Sequence, residues 1–574
     1  MSAVWSRGGR TALPALLAQP WDVIVIGGGI TGAGILLEAA RRGLKALLLE
    51  QRDFAWGTSS RSSKLVHGGL RYLKEGQLGL TRESVHEREH LLQQAAGLVV
   101  PQSFAFGHYA GRKPGKLMFL LGLAMYDRLA GQRSRHYYER EEFAALAPNV
   151  STQGLLGGMV YTDAKTDDAR LVLRVLQEAQ AHGGVALNYM AVQGLLRDGE
   201  QGGGHGDGQG SGPVREQISG KVCGVLVRDM QSDMPQAAPY AVRARVVISA
   251  TGAWADGLRL QAGKTAAHSA TARQQAGAAA MAGPPALKPR LRPLRGSHLV
   301  LPAWRLPLAQ AISLMHPYDG RPVFAFPWEG VTLVGTTDVD HKDDMAHDAS
   351  ITRDEVEYLM AVLHDQFPQL ALSERDVIAT YAGVRPVIDT GKADPSKEGR
   401  DHALWLEHGL LTVTGGKLTT FRVIALDALR RVASLLPDWQ ADLAPRPVFD
   451  AVPAPLPHVP QLPAGMAHKL QGRYGALTAQ VLAAAQQGEL ELIGGTETCW
   501  VQLRWAARCE AVQRLEDLLL RRSRIGLQLR QGGLAIMARI RAICQPELGW
   551  SDQRWDAELA AYVALWNKHY SLPA

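Results

Sequence analysis

Residues 21–50 read WDVIVIGGGITGAGILLEAARRGLKALLLE: a strand, a glycine turn, a helix and a second strand in one run. The apolar, β-branched stretch 23–26 suits a strand buried on both faces of a parallel sheet. Gly27, Gly29 and Gly32 form G-x-G-x-x-G at the strand-to-helix junction, where a tight turn, close approach to a pyrophosphate and close helix packing each exclude a Cβ. The helix N-terminus behind them offers N–H groups and a positive dipole end to phosphate. Residues 45–49 rebuild a strand, and Glu50 stands at its end, where a carboxylate accepts hydrogen bonds from ribose hydroxyls and repels a 2′-phosphate. Because strand, glycines, helix, strand and acid occur in order, the stretch predicts dinucleotide binding.

Outward from this unit, the 574 residues are enough for about three or four folding units. Hydrophobic residues at 46% and charged ones at 20% describe a globular chain with a sizeable core. The longest strongly apolar patch, 117–125, is nine residues, far short of the roughly 20 that span a bilayer as a helix. Cys223, Cys499, Cys509 and Cys544 show neither C-x-x-C nor companion histidine spacing, so no metal site or disulfide framework is expected and a reducing compartment fits. The net charge of +7 suits an anionic lipid surface or a phosphorylated substrate, or simply an arginine-rich proteome. Residues 1–20 read as an untidy extension rather than a targeting signal.

After Glu50 the segment QRDFAWGTSSRSSKLVHGGLRYL, 51–73, is crowded with hydroxyls, glycines and cations. Thr58, Ser59, Ser60 and Ser63 suit phosphate and ribitol oxygens, while His67, Arg71 and Tyr72 suit the lining of an anionic-substrate site. Residues 82–98 have helical spacing with a solvated charged face. In 111–135 basic residues flank an apolar run, either to dock on a bilayer surface or as a buried helix with snorkelling ends. Thr166 reads as an N-cap with Asp167 and Asp168 in the first helical turn, which explains the paired acids without catalysis. Residues 245–250 form a buried strand running into Gly252, at a sheet edge where a cofactor lies. Strands around 294–301, 322–326 and 331–334 suggest a separate antiparallel sheet, and 378–386 brings Arg385 near a strand end. A second glycine turn, Gly415, Gly416 and Lys417, opens a helix; its N-terminus and the lysine suit the negative charge of a reduced flavin. Residues 199–212 and 265–285 read as inserted loops, and 445–463, with seven prolines, as a linker before a helical region whose Arg521, Arg522 and Arg524 face lipid, a partner or water.

In sequence order, VIVIGGGITGAGI, TSSRSSKLVHGGLRYL, MYDRL, YTDAKTDDARLVL, ATGAW, GSHLVLP, VGTTDVD, YAGVRP, TGGKLTTFR and LEDLLLRRSRIGL resemble the FAD-dependent glycerol-3-phosphate dehydrogenases of the respiratory, aerobic bacterial type. The resemblance implies an α/β architecture: a doubly wound, Rossmann-like FAD-binding domain (21–100, 155–260 and 378–435), an antiparallel β substrate domain (101–154 and 286–377), the linker at 445–464 and a C-terminal helical cap (465–574). It implies oxidation of sn-glycerol 3-phosphate to dihydroxyacetone phosphate, with electrons passed to membrane quinone at the cytoplasmic face of the inner membrane. His67, Arg71, Tyr72, Arg385 and Lys417 match family active-site residues, and Ser297, His298 and Arg400 the neighbouring pocket. Gly27, Gly29, Gly32, Glu50, Thr58, Ser59, Ser60, Ser63, Lys64, Leu65, Val192, Gly252, Gly415, Gly416, Lys417, Leu418 and Thr420 match the FAD shell. The implied partners are the substrate, a quinone and an anionic membrane surface, with no nucleic acid and a homodimer as the candidate assembly. Rival readings are an oxidase of the same fold that uses oxygen and a related flavoenzyme for an amino or 2-hydroxy acid.

Overall fold

The computed structural model describes residues 3–70, 76–112, 115–131, 134–198, 220–232, 238–263, 287–392, 398–399, 401–440, 442–451 and 459–573. The insertions expected at 199–212 and 265–285, and the site candidates Arg71, Tyr72 and Arg400, lie outside them. In chain order the first strands are β1 (Trp21–Ile26), β2 (Ala46–Leu49), β3 (Leu65–Val66), β4 (Val99–Tyr109), β5 (His136–Glu139), β6 (Leu155–Thr166), β7 (Val185–Leu187), β8 (Met190–Arg197) and β9 (Val222–Asp229). There follow β10 (Tyr240–Ser249), β11 (Leu291–Pro302), β12 (Ala311–Met315), β13 (Pro322–Trp328), β14 (Val331–Gly335), β15 (Val339–Asp340), β16 (Ala379–Ile388), β17 (His402–Glu407) and β18 (Leu410–Gly415). The helices that matter for the site are α1 (Ile30–Ala40), α2 (Leu78–Gln94), α3 (Lys116–Ala130), α4 (Asp168–Ala181), α5 (Arg353–Gln366) and α6 (Phe421–Val432).

The first sheet has the strand order β17-β18-β10-β1-β2-β7, parallel throughout except for the edge hairpin β17–β18. Alternation along β1 decides its two layers. Val23 and Val25 meet α1, α4 and α6, while Ile24 and Ile26 meet the antiparallel ribbon β8–β9 that extends from β10. Both faces are therefore apolar, as the continuous run 23–26 requires.

The second sheet runs β15-β11-β14-β13-β12-β4-β6-β3, with β16 beside β11 and β5 beside β6. It is antiparallel as expected, except that β4 and β12 pair parallel where two separate stretches of chain meet. Strands β6 and β16 belong to this sheet, although the sequence reading gives both ranges to the nucleotide domain. Pairing between distant segments leaves no local signal to correct that division.

The C-terminal helices share a core with the second sheet: Trp500, Leu518, Trp555 and Trp566 pack with Phe104, Tyr161, Trp328 and Tyr381. The arginines expected on an exposed basic face point inward instead. Arg521 and Arg522 clasp the Asp53 carboxylate, with Arg522 reaching its two oxygens at 2.6 and 2.7 Å, and Arg524 donates to the Ser60 carbonyl at 2.7 Å. Arg170 of α4 answers from the other side with a two-point pair to Glu510 at 2.6 and 2.9 Å. Burial pushes Asp53 up, but the two guanidinium groups outweigh it and bring its pKa to about 2.

Two segments read as peripheral are packed. Trp5 is buried against Phe54 at 5.1 Å and donates to the Ala186 carbonyl at 2.8 Å, while Leu13 and Leu17 join the core beneath β1. In the proline-rich stretch, Val448 and Phe449 are buried in the core of the first sheet. The N-cap of α4 is Asp167, whose carboxylate accepts the Arg170 N–H, because Thr166 is still the last residue of β6.

Candidate active site

Because β18, β10 and β1 are adjacent and parallel, the turns that follow them line one edge of the sheet: Gly27 to Gly32 after β1, Gly252 after β10, and Gly415 to Thr420 after β18. That carboxyl edge is where open α/β sheets bind ligands. The first turn fits a dinucleotide. Gly27 holds φ at +113°, and a Cβ there would lie 2.6 Å from the Ala250 carbonyl oxygen; one on Gly32 would lie 1.9 Å from that of Gly27. Glu50 accepts the N–H groups of Gly28 at 2.7 Å and Arg52 at 2.8 Å, which aims its carboxylate along the turn with lone pairs remaining for ribose hydroxyls. The Ser59 hydroxyl accepts from Ile30 N at 3.0 Å and so sits at the mouth of α1. At the opposite end, Gly415 and Gly416 both have positive φ and lead through Lys417 into α6, with Thr420 at its N-cap position. Leu418 is half-buried beside them, and Val192 is half-buried on β8. These donors and the tight cradle fit an FAD laid from the Gly27 turn towards Lys417.

Not every candidate in 58–65 offers its side chain. The Lys64 ammonium is fully buried between the two Asp168 oxygens, at 3.0 and 3.1 Å, and the Ser60 carbonyl, so only its backbone can meet a cofactor. Burial brings its pKa down to about 7. Thr58 gives its hydroxyl to the Val384 carbonyl, and Leu65 is buried in β3.

Two side-chain groups flank the segment 58–67. On one face of the second sheet, Arg385 of β16 lies across Gly296 and donates to Thr336 Oγ1 at 2.9 Å, Asp338 Oδ1 at 3.1 Å and the Thr337 carbonyl at 3.3 Å. His298, on the same face, stacks on Tyr381 with centroids 4.5 Å apart and holds Ser63 Oγ at 3.0 Å through Nε2. At 1% exposure His298 supports Ser63 rather than lining a pocket, and burial, Arg385 and Lys64 keep it neutral. Ser297 is on the opposite face, as strand alternation requires; its hydroxyl goes to Glu355 of α5 at 2.8 Å and it takes no part in this group.

The second group surrounds His67. Burial lowers its pKa to about 4; Asp163 opposes this, while Lys417 and Arg88 add to it. Lys417 hydrogen-bonds the Ser84 hydroxyl of α2, and burial brings it down to about 8 against the pull of Glu83 and Asp401. Thr419 Oγ1 donates to the His67 carbonyl at 3.4 Å. Ser63 and His67 are four positions apart in the chain, so the backbones of the two groups lie within about 14 Å of each other. The sequence reading missed Asp163 and Ser84, although Asp163 stands inside the motif YTDAKTDDARLVL. It also assigned the charges of α2 to solvent, whereas Glu87 and Arg88 are buried, paired with Arg422 and Asp163.

A family model described as FAD dependent oxidoreductase matches residues 22–422, and one described as the C-terminal domain of alpha-glycerophosphate oxidase matches residues 429–555. The class is thus a flavin-dependent oxidoreductase with an appended helical domain. The chain is 32% identical to a glycerol-3-phosphate dehydrogenase of Mycobacterium leprae, over 98% of this chain and 89% of that one. It is 32% identical to an aerobic glycerol-3-phosphate dehydrogenase of Staphylococcus aureus, over 88% and 86%. Its fold matches the crystal structure of the glycerol-3-phosphate dehydrogenase from Bacillus halodurans complexed with FAD, with a TM-score of 0.68 and 25% identity over 98% of each chain. The chain belongs to the FAD-dependent glycerol-3-phosphate dehydrogenase family, and its cofactor is FAD.

Proposed function

We propose that the protein oxidises sn-glycerol 3-phosphate to dihydroxyacetone phosphate and passes the electrons to a membrane quinone. The observation that carries this reading is the pairing of a neutral imidazole, His67, with a nearby ammonium, Lys417, beside the cofactor cradle. FAD, when bound, supplies the acceptor for the hydride equivalent leaving C2. His67 takes the C2 hydroxyl proton on a ring nitrogen, since an imidazole with a pKa near 4 is unprotonated at neutral pH. Arg385 donates to the hydroxyl oxygen and steadies the charge that develops there. Lys417 attracts the phosphate dianion, a role shared with Arg71 and Arg400.

The acceptor reading draws support from one end of the second sheet. On α3, Leu117 and Leu121 are 82% and 68% exposed, with Met118 and Met125 on the same side. Strands β4 and β12 run towards this end and β6 starts from it, so exposed Tyr318 and Leu156 lie there too. Arg112, Lys116 and Arg128 border the patch, the first two paired with Asp365 and Glu139 at 3.2 Å each. An apolar helix face with a cationic rim suits an anionic bilayer surface, from which a quinone is reached. Among the described residues no helix is long and apolar enough to cross a membrane.

An oxidase that uses oxygen is the second reading, favoured by the description of the matched C-terminal domain. Anaerobic titration of the holoenzyme tests the substrate: glycerol 3-phosphate should bleach the flavin spectrum, and glycerol and glycerate should not. Reoxidation then separates the acceptors, because rapid turnover with a soluble quinone analogue supports the first reading and peroxide equal to substrate consumed supports the second.

A further inference from the structure

Asp163 is 3% exposed, yet nothing in the chemistry above uses it. Its Oδ1 accepts three hydrogen bonds: from Arg88 Nη1 at 2.6 Å, Tyr126 Oη at 2.8 Å and Gly68 N at 3.0 Å. The third is the informative one. Gly68 N–H and the His67 carbonyl are the two ends of one peptide plane, and that carbonyl accepts from Thr419 Oγ1 at 3.4 Å. The peptide carrying the imidazole is thus held at both ends, once from β6 and once from the turn that supplies Lys417.

Register explains why an aspartate stands there. Strands β3 and β6 pair antiparallel with Leu65 opposite Lys165 and Val66 opposite Ala164. Continued by one residue, the ladder sets His67 opposite Asp163, where strand pairing has ended and a side chain takes over the Gly68 N–H. The approach is close enough to require glycine, since a Cβ on Gly68 would lie 2.3 Å from the Tyr126 hydroxyl. Arg88 also donates to Tyr126 Oη at 2.9 Å, so carboxylate, phenol and guanidinium form a closed triangle behind the histidine.

We propose that Asp163, fixed by Tyr126 and Arg88, is a positioning residue that acts through the His67–Gly68 peptide to set the imidazole of His67 for proton abstraction. This rests on the reading of His67 as the base. Asp163 touches neither substrate nor cofactor in this role; its effect passes through one peptide plane.

The test is a double-mutant cycle on the FAD-loaded enzyme, with the anaerobic rate of flavin reduction by glycerol 3-phosphate as the readout. Asp163→Asn should slow reduction about tenfold with little change in half-saturating substrate, and should cost less than about twofold when added to His67→Gln. The acid limb of its pH profile should also move to lower pH, because the charge that opposes burial, Lys417 and Arg88 at His67 is gone. Tyr126→Phe keeps the carboxylate and removes one donor; it should slow reduction less, with the same loss of effect in the His67→Gln background. If Asp163→Asn does not retain FAD, the Tyr126→Phe cycle decides. A normal rate in both variants, or an undiminished effect in the His67→Gln background, overturns the proposal. Near-normal reduction by His67→Gln alone overturns the base assignment instead.

Discussion

A base with a conjugate acid near pH 4 is a weak one, and His67 is brought there by burial before any substrate arrives. A phosphate dianion bound beside it acts in the opposite direction, raising the pKa in the complex. The protonated imidazole cannot accept the hydroxyl proton, so activity falls as pH drops through this pKa. The acid limb of kcat should therefore lie above about pH 4, and a limb at or below that pH would count against His67. On the alkaline side kcat/KM should decline above about pH 8 as Lys417 loses its charge and its hold on phosphate. Arg385→Ala removes a guanidinium held by Thr336, Thr337 and Asp338. Its limiting rate of flavin reduction should fall about a hundredfold, beyond any change in substrate affinity; a defect in affinity alone would remove its orienting role. At this scale the sequence was partly legible. His67, Arg385 and Lys417 stand in motifs whose local chemistry is readable, whereas Ser297 and His298 are neighbours in sequence on opposite faces of β11, and which face meets the site depends on what packs there.

Elements read well where their signal is local. The strand, turn, helix and strand of 21–50 appear within a residue or two of their expected bounds, since periodicity and glycine placement are properties of the stretch itself. Helix α3 left two readings open, a bilayer-docking face and a buried helix: Leu123 and Tyr126 are fully buried, and Leu117 and Leu121 face outward. Leu117→Asp with Leu121→Asp should abolish co-sedimentation with anionic lipid vesicles and leave flavin reduction by soluble substrate intact; unchanged sedimentation would remove α3 from the docking surface. The segment Asp517–Arg522 and the arginines around it were illegible, because their partners are hundreds of residues away. Asp53→Ala leaves Arg521 with Asp517 and Glu516 but strips Arg522 of its carboxylate. The cost should be about 3–5 kcal/mol, seen as a lower thermal unfolding midpoint. The sign with pH follows from a pKa near 2 in the folded chain against about 4 unfolded: this stabilisation is present above pH 4 and is lost as pH falls from about 4 to 2. The variant should lose that part of the acid dependence, and an unaltered midpoint would show the pair to be dispensable.

In the whole molecule, the two sheets and the C-terminal helices meet around one strip of chain. Residues 53–67 carry Asp53 to the cap, Ser59 to α1, Ser63 to His298 and His67 to the Lys417 turn. The class of architecture was readable from the sequence because each sheet leaves its own periodicity. Their interlocking was not, since Trp5, β6, β16 and the cap arginines find partners that no window of sequence contains.

Arg521 and Arg522 meet Asp53 across 468 and 469 residues. On the ribosome this separation becomes an order of events in time. The glycine turn and the hydroxyl-rich strip emerge early, but the carboxylate beneath that strip stays without its counter-charges until the cap has been made and has docked. The cradle itself waits for Gly252 and for Gly415 to Thr420, and the arginines that lock the strip beneath it come later still in the chain.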